Sequence, residues 1–140
     1  MTSYDVVYHR FLTKIEDYDL PNLPDDELES MLHGWLLSAI AEFRKCKSDL
    51  SQRDDEIRTF LVDLQNEEIE ILALLMTVEW LEPTINSCLL TKQFVGGKEE
   101  KWFSQSSHLA ELQALRDANR IEARKLMRDY TFAHHSYLED

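Results

Sequence analysis

The chain has 140 residues and a formal net charge of −12 at pH 7, with a sequence pI of about 4.8. That length suits one domain, 1–140, and a surface of that sign repels DNA, RNA and anionic lipid and offers no basic phosphate footprint. A 44% hydrophobic fraction with only 3 Gly and 3 Pro points to a folded chain of long helices, and β-branched residues are too sparse outside "TFLV" and "TKQFV" for a large sheet, so the expected class is all-α.

The first element is a helix from Tyr4, because Tyr4, Val7, Tyr8, Phe11, Leu12 and Ile15 recur at helical spacing. "EDYDLPNLP" breaks it. Pro24 suits the first turn of a second helix, whose positive N-terminal end favours Asp25, Asp26 and Glu27. Leu28, Met31, Leu32, Trp35, Leu36, Ala39, Ile40 and Phe43 give that helix an apolar stripe, and Arg44, Lys45 and Lys47 follow at its negative end. "SDLSQRDDE" reads as a polar connection, and "IRTFLVDL" as a brief strand or an extended segment on the core. A third helix opens at Asn66 as N-cap, with Glu67, Glu68 and Glu70 in its first turn. It is expected to stop or kink near Leu81, ahead of Pro83, with a shorter helical piece from Thr84 to Phe94. "VGGKEEKWFSQSSH" reads as an extended loop, about 94–106. A long last helix then runs from Ser106 or Ser107 to Tyr130, with Leu109, Leu112, Leu115, Leu126, Met127 and Tyr130 on its apolar side and Asn119 near its middle. The remaining residues, about 131–140, read as a flexible tail.

Charge is unevenly spread. Residues 1–106 hold 10 Lys/Arg against 21 Asp/Glu, whereas residues 107–130 hold 5 against 4. The last helix is therefore the segment suited to meet an acidic neighbour. Cys46 and Cys88 fit neither a metal pattern nor a disulfide framework, so reduced thiols in a cytoplasm are expected. The N-terminal "MTSYDVVYHR" lacks an apolar signal core. The apolar run Ile71 to Val78 is far too short to span a bilayer, so no membrane association is expected.

Chemistry is hard to place. His9, His33, His108, His134 and His135 lack a second His or Cys at the spacing of a zinc site. "VGGK" lacks the length and the Ser/Thr of a phosphate loop, and no nucleophile elbow is present. No metal, cofactor or catalytic residue is expected. The E-x-x-E pairs Glu67/Glu70 and Glu79/Glu82 are similar to the Mg²⁺-holding motifs of small all-α nucleotide pyrophosphohydrolases, which would make the chain a metal-dependent hydrolase. Those enzymes bring the pairs from two facing helices, and here both lie on one. Trp35 and Trp80 sit in apolar helical stripes and read as core. Trp102, beside Phe103 and a Gly-Gly pair, reads as an interface anchor, with plugging of its own core as the alternative.

Between Ile69 and Leu81 nearly every residue is apolar, and a helix apolar all round must be covered all round. Other helices of the same chain suffice; a neighbouring subunit is the alternative, and Trp102 with Phe103 favours an assembly. From Leu28 to Thr131, "SAIAEFRKCKSDL", "DDEIRTFLVDLQNEEIEILALLMTVEWL" and "FSQSSHLAELQALRDANRIEARKLMRDYT" follow in an order that resembles the small helical head-tail connector (adaptor, or head-completion) proteins of tailed bacteriophages. The resemblance implies a structural virion protein of the neck and no enzyme: a homo-oligomeric ring of twelve copies, made in the bacterial cytoplasm and docked between the portal protein and a tail or stopper protein. An acidic ring would let DNA pass without sequence-specific binding, and a basic last helix would permit head-to-tail contacts between subunits. Phe94, Trp102 and Phe103, with Arg116, Arg120, Arg124, Arg128 and Tyr130 of the last helix, are the expected interface residues. A small acidic phage protein that inhibits a host factor is the other reading, since acidic surfaces can mimic DNA.

Overall fold

The computed structural model describes residues 1–15, 23–95 and 99–134, and of Cys88, Leu90 and residues 91–95 and 99–107 it describes the backbone alone. Strand β1 (Thr2–Ser3) leads into α1 (Tyr4–Leu12), followed by α2 (Asp25–Glu42), β2 (Arg53–Asp54), β3 (Thr59–Phe60), α3 (Asn66–Val95) and α4 (Glu99–His134). The chain is mainly helical, as its composition requires. To the expected all-α class it adds a small antiparallel sheet of order β1-β3-β2, in which Phe60 pairs with both Thr2 and Arg53. "TFLV" supplies β3, the short strand that its β-branched content favours.

The apolar helix is the axis of the fold. α1, α2 and α4 each pack on α3. Ile71, Leu72, Ala73 and Met76 are fully buried, and no apolar residue from Ile69 to Val78 is more than 7% exposed. Covering by the chain's own helices therefore accounts for that stretch. Thr77, buried within it, donates its hydroxyl to the Ala73 carbonyl at 3.0 Å, which satisfies the one polar side chain on that turn. α1 contributes Tyr4, Val7, Tyr8 and Phe11, the i, i+3, i+4, i+7 set of one helix face. Trp35 and Trp80 pack against the core at partly exposed positions. Farther along, Leu81 and Ile85 of α3 meet Leu109 of α4, with Trp80 and Leu112 beside them.

Two expected boundaries fail. Of the stop or kink expected at Pro83 the stop is excluded: α3 runs through the proline to Val95 and takes in the helical piece expected from Thr84 to Phe94. Proline denies a donor to the Glu79 carbonyl, yet Pro83 lies on an exposed side of α3, where water can serve that carbonyl. The extended loop over 94–106 is likewise corrected. Phe94 and Val95 end α3, and α4 begins at Glu99, so Trp102, Phe103 and Ser104 to Ser106 are helical. The Ser-rich stretch outweighed, in the sequence reading, the helix-forming "KEEKW" and the fit of Glu99 and Glu100 to a positive helix end. α4 also extends to His134, into the segment expected as tail; Gly96 to Lys98 and residues 135–140 lie outside the described residues.

Candidate functional site

The buried polar centre of the molecule is Glu68, on the first turn of α3 and 1% exposed. Its carboxylate accepts from the Gln65 amide at 2.8 Å, the Ser48 hydroxyl at 2.9 Å, the Ser48 amide at 3.3 Å, the Cys46 thiol at 3.0 Å and the Tyr130 hydroxyl at 2.8 Å. Tyr130 in turn accepts from the Lys47 amide at 2.8 Å and packs edge-on against Phe43. One carboxylate thus ties the segment after α2, the start of α3 and the end of α4. Burial pushes the Glu68 carboxyl up, but the hydrogen bonds from Gln65, Cys46, Tyr130 and Ser48 outweigh it and hold the group below its ordinary value. Burial, followed by the Glu68 carboxylate, pushes the Cys46 thiol up to about 12, so this cysteine is structural and not a nucleophile. The sequence places Glu68 in the first turn of the third helix but does not single it out from Glu67 and Glu70. The signal that distinguishes it is half of a capping box, a Glu three residues after a chain reversal.

Tyr130 is accordingly a correction. Expected at an interface, it is 1% exposed and part of the core, because its hydroxyl meets both Glu68 and the Lys47 amide. Arg116 and Arg120 turn inward to a single acid: the Arg120 guanidinium donates to Glu82 at 2.9 Å, and Arg116 lies 3.6 Å from the same oxygen. They tie α4 to α3, and Arg116 also donates to Asp117 at 3.1 Å. Arg124 and Arg128 do face solvent. The backbone places Phe94 at the end of α3, and Trp102 and Phe103 near the start of α4; their side chains lie outside the description.

The paired acids are also engaged. Glu70 binds Arg10 at 3.3 Å and Lys14, Glu67 meets His134 at 3.0 Å, and Glu82 holds the two arginines. Burial and the neighbouring Glu42 carboxyl raise Glu79, whose charge is therefore disfavoured. Among the described residues no group of three or more His, Cys, Asp or Glu has the geometry to hold a metal ion. A second polar cluster joins α1, α2 and the sheet: Asp55 accepts from the Tyr4 hydroxyl at 2.5 Å and lies 3.2 Å from His33 Nε2 and 3.5 Å from Arg53. The Tyr4 bond, then burial in the opposite sense, then His33 set the Asp55 carboxyl below its usual value.

The outer sides of α4 and α2 are a further candidate. On α4, Ala110, Ala114, Ala118, Ile121, Lys125, Arg128 and Phe132 are all exposed, and 3.6-residue periodicity sets them on one side, away from the buried Leu109, Ala123 and Tyr130. Ile121 is 66% and Phe132 64% exposed. Leu115, expected on the inner side, is 46% exposed instead, a quarter-turn off the buried row. α2 has a matching outer side. Glu27, Met31, Gly34 and Ala41 are exposed there and Ser38 partly so, although Met31 was expected on the inner stripe. Compared with family models, curated proteins and solved structures, the chain matches none. Among the described residues no helix is long and apolar enough to cross a membrane.

Proposed function

We propose that the chain is a non-catalytic assembly subunit, the head-tail connector of a tailed bacteriophage, which joins copies of itself in a ring of twelve between portal and tail or stopper proteins. The observation that supports this reading is the solvent side of α4: two large apolar side chains, Ile121 and Phe132, flank Lys125 and Arg128 on a chain of net charge −12. An apolar stripe rimmed by the less common charge favours a protein partner of acidic surface. The internal engagement of Glu67, Glu70 and Glu82 argues against the hydrolase, which needs carboxylates free to hold Mg²⁺. The specific place in the particle is what the resemblance of its helix order and sequence phrases to connector proteins suggests.

Mass spectrometry of purified virions tests it. The chain is expected at a copy number close to that of the portal protein, and its absence would remove the connector reading. Detection instead in complex with a host protein in infected cells would favour the inhibitor. Incubation with nucleoside triphosphates and Mg²⁺ is expected to release no pyrophosphate.

A further inference from the structure

We infer that neighbouring copies join through two different faces, the outer side of α4 of one copy lying antiparallel along the outer side of α2 of the next. This deepens the ring-subunit reading and rests on its self-association alone. The first ground is charge. α2 opens with the exposed acids Asp25, Asp26 and Glu27, whereas the three exposed turns of α4 between Ile121 and Phe132 carry Arg124, Lys125 and Arg128 against the acids Glu122 and Asp129, a local excess of positive charge in which Arg128 lies 3.7 Å from Asp129. Antiparallel helices with Glu27 level with Lys125 bring these two ends together. The parallel alternative would carry the basic turn of α4 toward the exposed Arg44 and Lys45 that follow α2.

The second ground is shape in the same register. With Glu27 opposite Lys125, the spacing along both helices places Met31 level with Ile121, Gly34 with Ala118, and Ser38 with Ala114. Met31 and Ile121 are 40% and 66% exposed in the chain by itself, and each supplies the apolar cover that the other lacks. Small residues then face one another for two turns, which lets the helix axes approach closely. Gly34 is the residue that this arrangement explains. It sits inside a helix, where glycine is unfavourable, yet among the described residues a Cβ added there would meet no atom beyond its own helix backbone and chain neighbours within 4 Å. Nothing in the packing of the described residues requires it.

Because the two faces differ, the contact is heterologous: each copy presents one of each, so copies add in series and close into a ring when the rotation permits. That property gives the test. Sedimentation velocity over a concentration series is applied to the full chain, to Ile121→Glu and to Gly34→Leu. Both substitutions fall on exposed positions, and unchanged circular dichroism with an undiminished melting temperature verifies that both variants fold. The wild type is expected to self-associate, and each variant to lose about 100-fold in association, as hot-spot positions do. An equimolar mixture of the two variants is expected to form a species of two chains and no larger one, since one intact α2 face and one intact α4 face remain between them. A monomeric wild type, a variant that assembles like the wild type, or a mixture that stays monomeric overturns the inference. A chain that assembles through these faces but is missing from virions would remove the connector reading and leave this one. A virion component that is monomeric in solution would do the reverse.

Discussion

Glu68 shows what a single charge requires once it leaves water. Its five hydrogen bonds come from a thiol, a phenol, a hydroxyl and two backbone amides, and the start of α3 adds the positive end of a helix. Glu68→Gln keeps the shape but turns an amide NH₂ toward donors, so a loss of about 3 kcal/mol is expected in urea unfolding. Tyr130→Phe removes the hydroxyl between Glu68 and the Lys47 amide and should lose less, about 1–2 kcal/mol. Equal losses would mean that the phenol, and not the carboxylate, organises the joint. The same group sets a pH dependence. Glu68 is held below 4.5 when folded, so the unfolded chain binds its proton more readily. The stability it contributes is complete above 4.5 and lost as pH falls through the lower folded value. Glu70, where burial is outweighed by Lys14 and Arg10, acts in the same direction. Glu79, raised by burial and Glu42, acts in the opposite one and gives back stability as it protonates above its ordinary value. Urea midpoints from pH 7 to pH 3 should therefore change little until 4.5 and fall steeply below it, and Glu68→Gln should flatten that fall.

Helices α2 and α3 each carry a residue that a designer of stable helices would remove. Gly34→Ala is expected to raise subunit stability by about 1 kcal/mol, and Pro83→Ala by about 1–3 kcal/mol, since it restores the donor to the Glu79 carbonyl. Thermal melts of the two variants, singly and combined, verify this. The positions lie on different helices with no shared partner, so the gains should add. Most elements were legible in the sequence because their apolar periods are long: the Tyr4–Phe11 face, the Leu32–Leu36–Ala39 face and the unbroken Ile71–Met76 stretch all bury as read. The ends were not. Pro83 and the Ser-rich 104–107 are local breakers whose effect depends on which side of a helix meets water, and that is a property of the packed molecule. The inward turn of Tyr130, Arg116 and Arg120 was hidden for a related reason. Their partners, Glu68 and Glu82, lie 62, 34 and 38 residues away in the chain, and charge counted along a segment does not reveal such pairing.

At the scale of the whole molecule, copies of a chain of charge −12 repel one another, and in the proposed contact a local reversal of sign opposes that repulsion. The two effects respond differently to salt. The general repulsion acts over a screening length of about 30 Å at 0.01 M and is largely gone at 0.15 M, where that length is about 8 Å. The proposed contact between Asp25, Asp26 and Glu27 and Arg124, Lys125 and Arg128 of α4 would be short-range and yield only at higher ionic strength. Association followed by light scattering should therefore strengthen from 0.01 to 0.15 M salt and weaken again toward 1 M. A monotonic decline would mean that repulsion between whole subunits is unimportant.

The joint around Glu68 has a temporal consequence as well. Residues 46 to 68 leave the ribosome long before position 130 is translated, so the nascent chain carries an anion with four donors at hand and the phenol still to come. Until the end of α4 arrives, that carboxylate stays hydrated and the groove beside Phe43 stays open to solvent. Seating of the final turns thus becomes the last act of maturation, and pulse-labelled amide exchange over residues 123–134 should lag behind the first three helices.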